Sequence, residues 1–102
     1  MKFETMEEYV NRMYPPECRF VISLQESYLL TDGRRVSNRS RRFRLADCAE
    51  DARQSVQDEI NRRFNGKENQ AEIISVQAVP QAVVFTLGYC RFNSDNDIRK
   101  TK

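Results

Sequence analysis

Residues 33–44, GRRVSNRSRRFR, carry Arg34, Arg35, Arg39, Arg41, Arg42 and Arg44 and no acid. A guanidinium is permanently charged and presents a planar fork of donors that matches carboxylate or phosphate oxygens two at a time. Six of them in one short stretch, with no lysine among them, point to recognition of an anionic surface. The remainder of the chain holds eleven basic against fifteen acidic residues, a net of −4, so the overall charge of +2 conceals a polarised molecule.

Other chemistry is poorly provided for. The chain has no histidine, which removes the commonest general base and metal ligand and rules out Ser-His and Cys-His nucleophile pairs. Cys18, Cys48 and Cys90 are odd in number and far apart, fitting neither a disulfide framework nor a CxxC metal knuckle. They read as ordinary buried or half-buried thiols. Gly33, Gly66 and Gly88 are the only glycines and build no phosphate-cradling loop. Asp47, Glu50, Asp51, Asp58 and Glu59 read as the solvated face of a helix rather than as paired catalytic carboxylates. RRVS, ending at Ser37, suits a basophilic kinase, and NRS at Asn38 is formally a glycosylation acceptor, but motifs this short arise readily by chance. The expectation is a binding protein without catalytic residues, metal or cofactor.

The arginines would serve two kinds of partner. One interleaved aromatic, Phe43, is no stacking platform for bases, and helix-turn-helix, zinc-ligand, RNP and GXXG patterns are missing. Tyr28, Leu29, Leu30 and Val36 lie close to the arginines in sequence and could supply a desolvated anchor. The expected site therefore comprises Arg34, Arg35, Arg39, Arg41, Arg42, Arg44, Tyr28 and Leu30, facing a protein with an acidic surface; DNA or RNA backbone is the alternative. A blander reading uses arginine at a sheet edge to discourage edge-to-edge pairing. Small chains without cofactor motifs are common among phage and mobile-element proteins that regulate or inhibit host machinery, which adds an expectation of that role. The longest apolar run, AVVF at 82–85, is far short of the roughly 20 residues of a membrane helix. The acidic start lacks a secretory signal, so the expected compartment is cytoplasmic, the host's cytoplasm if phage-encoded.

The elements that must position these residues follow from patterning. With 102 residues, 39% apolar and 31% charged, the chain suits one soluble domain with a modest core. Thr5 and Glu8 form a capping-box pattern opening a short helix over 5–13, stopped by Pro15-Pro16. Residues 19–45 read as a hairpin about Asp32-Gly33, a favoured two-residue turn. That turn sets Phe20 opposite Leu45, Ile22 opposite Phe43, Val21 opposite Arg44, Ser23 opposite Arg42 and Glu26 opposite Arg39. Ala49, Ala52, Val56, Ile60 and Phe64 mark a helix over 47–64, with Asp47 and Glu50 at its start and Asn65-Gly66 as a left-handed stop.

Residues 71–92 read as a second hairpin broken near Pro80, with Ile74, Val76 and Ala78 on one strand and Val83, Phe85, Leu87 and Tyr89 on the next; 93–102 reads as a frayed tail. The expected architecture is an α+β two-layer sandwich, a four-stranded antiparallel sheet of ββαββ topology, with strand order 1-2-4-3 or 2-1-3-4. The long helix would cover Phe20, Ile22, Phe43, Leu45, Ile74, Val76, Phe85 and Leu87, and Arg42 and Arg44 would line the open face. Strands of about 11 residues, roughly 35 Å, would outreach that helix and overhang as an arm. Ile73, Val79, Val84 and Phe92 on the open face would offer a homodimer surface.

Overall fold

The computed structural model describes residues 3–66, 68–80 and 96–100. The elements run α1 (Met6–Met13), a 3-10 turn (Pro16–Cys18), β1 (Arg19–Leu29), β2 (Arg35–Leu45), α2 (Ala49–Arg63) and β3 (Asn69–Ala78). The class is α+β with an antiparallel sheet. Among the described residues that sheet has three strands, ordered β2-β1-β3, and not four, which overturns the four-stranded ββαββ expectation. Because β1 pairs on both sides, the order 1-2-4-3 is excluded as well. The expected fourth strand, with Val83, Phe85, Leu87 and Tyr89, lies outside the described residues.

The β1–β2 hairpin closes through three residues, Thr31, Asp32 and Gly33, rather than two. Gly33 N–H donates to the Leu30 carbonyl at 3.0 Å and Leu30 N–H to the Arg34 carbonyl at 2.7 Å, with Gly33 at φ +87°. This is the type I turn followed by a left-handed residue, the commonest three-residue hairpin. Asp32 reinforces it, accepting from the Arg34 backbone N–H at 3.0 Å and from Arg34 Nε at 2.7 Å. One extra loop residue moves every pair by one: Phe20 faces Arg44, Val21 faces Phe43, Ile22 faces Arg42, and Glu26 faces Asn38. In a period-two strand such a slip exchanges the two faces.

The core divides accordingly. Phe20, Ile22 and Leu24 of β1 pack under Ala52, Val56 and Ile60 of α2, with Ile73, Val76 and Phe64 at the margin. Phe43 and Leu45 do not join them. With Val21 they form a second cluster on the opposite face, against Tyr14 and Val79. β3 contributes a bulge: Ser75 faces Ser23 but Ile73 faces Leu24, leaving Ile74 unpaired and 45% exposed. Ile74 is therefore outside the core and Ile73 inside it, the reverse of simple alternation. Ile73 and Val79 are both taken up by packing, so the apolar open-face patch expected for a homodimer is not formed by them; Val84 and Phe92 lie outside the described residues.

Helix ends differ from expectation too. Cys48, not Asp47, is the N-cap of α2 and makes no side-chain cap bond; Asp47 instead accepts from the Lys100 backbone N–H at 3.0 Å. At the other end Phe64 has φ −119°, and Gly33 alone among the described residues has positive φ, so Asn65-Gly66 is no left-handed stop. At α1, Thr5 Oγ1 accepts from Glu8 N–H at 3.1 Å, half of the capping box.

Arg19 ties the pieces together on the open face. Although buried, it makes no ion pair among the described residues: Nε donates to the Tyr14 carbonyl, Nη1 to the Pro80 carbonyl and Nη2 to Asn11 Oδ1, at 2.8, 2.8 and 3.0 Å. Residues 96–100 are docked rather than frayed, with Ile98 N–H donating to the Leu45 carbonyl at 2.8 Å and its side chain against the main cluster.

Two measurements test this packing. Leu24 is fully buried, and Leu24→Ala is expected to lower unfolding free energy by about 2–5 kcal/mol in urea titration. Gly33→Ala meets no atom within 4 Å, so its expected cost of about 1–2 kcal/mol is the left-handed backbone alone.

Candidate functional site

The one-residue slip sorts the arginines of β2 into two sets. Even-numbered residues share the helix-covered face with Phe20, Ile22 and Leu24; odd-numbered residues share the opposite face. α2 sits over β1 and β3 more than over β2, so the long Arg42 and Arg44 side chains span the gap to it.

There they meet Glu59, on the flank of α2 one position before the buried Ile60. Arg42 Nε donates to Glu59 Oε2 at 2.7 Å and Arg44 Nη2 to Oε1 at 2.8 Å. Arg44 also reaches Ser55 Oγ at 3.0 Å and is only 6% exposed. Glu26, buried on the same face of β1, accepts from Ser40 Oγ, from the Tyr28 hydroxyl and, at 3.5 Å, from Arg42 Nη2. Burial pushes both glutamates toward the protonated form. The donors override it, so both carboxyls titrate below the ordinary glutamate range: Ser40, Tyr28 and Arg42 at Glu26, and Arg42 and Arg44 at Glu59. The bond to Glu26 raises the Tyr28 phenol in turn. Expected on the open face, Arg42 and Arg44 are instead structural cations inside the sandwich.

The odd-numbered set is different. Arg35, Arg39 and Arg41 are exposed and share the open face with Ser37 and, on β1, with Ser23, Gln25 and Ser27. Arg35 Nη1 is held by Ser27 Oγ at 3.0 Å and the Glu68 carbonyl at 3.3 Å. Arg34, at the turn, pairs with Asp32, whose carboxyl is held below its ordinary range first by the Arg34 backbone N–H and then by the Arg34 side chain. Arg39 and Arg41 make no ion pair or side-chain hydrogen bond among the described residues. The nearest acid in their sheet row, Glu72 of β3, is separated from Arg39 by Gln25. Two residues apart on one face, their Cα atoms stand about 7 Å apart. That is inside a Debye length of about 8 Å at physiological salt, so their fields add.

The apolar part of the expected site is divided as well. Leu29, Leu30 and Val36 are exposed at the tip. Tyr28 is half-buried, its ring 6.1 Å from that of Phe64. The tip is short, because β3 flanks β1 as far as Leu29, whose N–H donates to the Glu68 carbonyl at 3.1 Å. Only Leu30–Arg34 extends past the paired sheet, so the long arm is reduced to a turn.

Sequence reasoning missed Glu59, placed on the solvated face with Asp58. The available signal was the spacing of Ser55 and Glu59, which follows the flank of the Ala52-Val56-Ile60 stripe. No helix among the described residues is long and apolar enough to cross a membrane. No protein-family model matches the chain, and no curated protein sequence or solved structure matches it.

The buried network sets an acid limit. Glu26 and Glu59 have folded pKa values below their unfolded ones, so their stabilisation is complete above about pH 4.5 and drains away as pH falls through the folded values. Glu59→Gln leaves two guanidiniums inside without their carboxylate. An expected loss of about 3 kcal/mol at pH 7, shrinking as pH falls through the lowered folded value and wild-type Glu59 itself protonates, is read from urea titrations across pH.

Proposed function

We propose that this protein is a non-enzymatic binding module that engages an anionic partner, of protein nature, through the open face and outer edge of β2. Arg39 and Arg41 are the principal contacts, and Arg34 and Arg35 flank them. Leu30, with Leu29 and Val36, supplies apolar contact at the tip. Such a module acts by occupying a surface, as a regulator or inhibitor does.

One contrast carries the reading. Within a single strand, the inward arginines Arg42 and Arg44 are matched to Glu59, while the outward Arg39 and Arg41 have no acid beside them among the described residues. A strand whose arginines served only solubility would gain nothing from choosing guanidinium over ammonium, whereas a bidentate contact to carboxylate does. Exposed apolar side chains beside the row, and a net-acidic remainder of the chain, favour protein over nucleic acid. The same guanidiniums suit phosphate, and DNA or RNA backbone is the competing reading.

Binding of fluorescent polyglutamate, duplex DNA and single-stranded RNA, each measured across salt concentration, separates them. Polyglutamate is expected to bind and to lose about tenfold or more in affinity with Arg39→Glu/Arg41→Glu, a variant whose thermal melt stays near wild type because both positions are exposed. Tight DNA or RNA retention with a steep salt slope selects the competing reading. Absence of binding to all three at low salt rejects the proposal.

A further inference from the structure

The backbone of β2 adds a second property to the arginine row. In an antiparallel pair, residues alternate between those whose N–H and C=O groups face the partner strand and those whose groups face away. Leu30 N–H bonding the Arg34 carbonyl and Ala46 N–H bonding the Cys18 carbonyl at the two ends place the even-numbered residues of β2 toward β1. Residues 35, 37, 39, 41, 43 and 45 therefore direct their backbone groups to the outside of the sheet. Among the described residues β2 is the terminal strand, so no neighbouring strand of the described sheet meets them.

The outward carbonyls at one end of this edge are satisfied by the protein itself. Leu45 accepts from Ile98 N–H at 2.8 Å, Phe43 from Arg44 Nη1 at 2.9 Å and Arg41 from Arg42 Nη1 at 3.1 Å. Farther along, the outward N–H and C=O of Ser37 and Arg39, and the outward N–H of Arg41, have no partner among the described residues. The open stretch of backbone thus coincides with the guanidiniums that meet no acid among the described residues, since outward backbone and open-face side chain both belong to the odd-numbered residues.

We infer that this edge accepts an extended acidic segment of a partner protein as an added strand, its backbone pairing with Ser37, Arg39 and Arg41 while alternate carboxylates meet the Arg39 and Arg41 guanidiniums. The inference rests on the anionic-partner reading and specifies its mode. Strand addition draws affinity from main-chain hydrogen bonds and selectivity from every second side chain. Here every second incoming side chain lands on the open face beside arginine, and the others fall on the face of Val36, Asn38 and Ser40. Charge decides among occupants. A second copy would bring its own arginine row against this one, which like charges oppose; an acidic strand is attracted by the row that repels the copy. Arginine at the edge thus prevents self-pairing and selects the partner at once.

The probe is a peptide of about eight residues, enough to span the open stretch at about 3.4 Å per residue, alternating glutamate and threonine. A second peptide is identical except that alternate backbone amides are N-methylated, which keeps the charge and removes pairing. Anisotropy titrations with the full chain are run on both, on duplex DNA, and on two variants. Arg39→Glu/Arg41→Glu removes the charge. Ser37→Pro removes an outward N–H without touching the β1 ladder, an edge-strand setting in which proline is tolerated.

The unmodified peptide is expected to bind, with N-methylation and Ser37→Pro each weakening it about tenfold or more. The backbone amides of Ser37, Arg39 and Arg41 should change from fast to slow hydrogen exchange in the complex. Equal binding of the two peptides, lost on charge reversal, overturns strand addition and leaves anionic docking standing. DNA binding without peptide binding overturns the protein occupant. Failure of every anionic probe removes both. Slow exchange of these amides in the free protein overturns the inference by showing the edge already filled, by the chain's own residues if independent of concentration and by a second copy if not. Should Ser37→Pro not fold, the comparison of peptides still decides.

Discussion

The register of the β1–β2 hairpin is the constraint on which the rest depends. Three loop residues closed by Gly33 at φ +87° set Phe20 against Arg44 rather than against Leu45. Strand side chains alternate with a period of two, so this single residue decides the face on which each arginine of β2 emerges. Arg42 and Arg44 go beneath the helix and need a carboxylate there; Arg39 and Arg41 go to the open face. The same slip carries Phe43 and Leu45 out of the main core and creates the second cluster that Tyr14 and Val79 cover.

Burying two guanidiniums is costly, and the fold meets that cost with geometry rather than with water. Glu59 divides its two oxygens between Arg42 and Arg44, Ser55 takes a further donor of Arg44, and Glu26 accepts from Ser40, Tyr28 and Arg42. Pairs of this kind add little to stability over a well-packed apolar substitute, but they discriminate between registers. With β1 kept beneath the helix, a hairpin slipped by one residue would bring Phe43 and Leu45 to the helix-covered face, turn Arg42 and Arg44 to the open face and strand Glu59 without its cations. The network and the second cluster, in which Tyr14 and Val79 cover Phe43, therefore select the same pairing, and agreement between independent preferences is what gives a single native state.

The outer edge shows the complementary use of charge. Side-chain guanidiniums of Arg42 and Arg44 fold back to cap the outward carbonyls of Arg41 and Phe43, and the 96–100 segment caps Leu45. What is left uncapped among the described residues is a short run centred on Ser37 and Arg39, flanked by cations that meet no acid among those residues. In the proposed reading, edge protection and partner selection draw on the same residues.

Several features were legible in the chain itself. The spacing of Ala52, Val56 and Ile60 marks the buried stripe of a helix, because 3.6-residue periodicity is a local property. Asp32-Gly33 marks a hairpin turn, because only a residue free of a Cβ enters the left-handed region cheaply. Six arginines without an acid mark a strongly basic segment, because charge needs no fold to be counted. Which of the six stay outside was beyond the reach of the sequence. A two-residue and a three-residue loop about the same Asp-Gly differ by one position, and both registers give plausible alternation. The choice falls to contacts distant in sequence: Glu59 reaching Arg42 and Arg44, and Tyr14 and Val79 covering Phe43. The bulge that leaves Ile74 exposed and turns Ile73 inward is of the same kind, since it is settled by how β3 meets β1. Local chemistry thus determined the elements and their charge, and tertiary packing decided which face each side chain occupies.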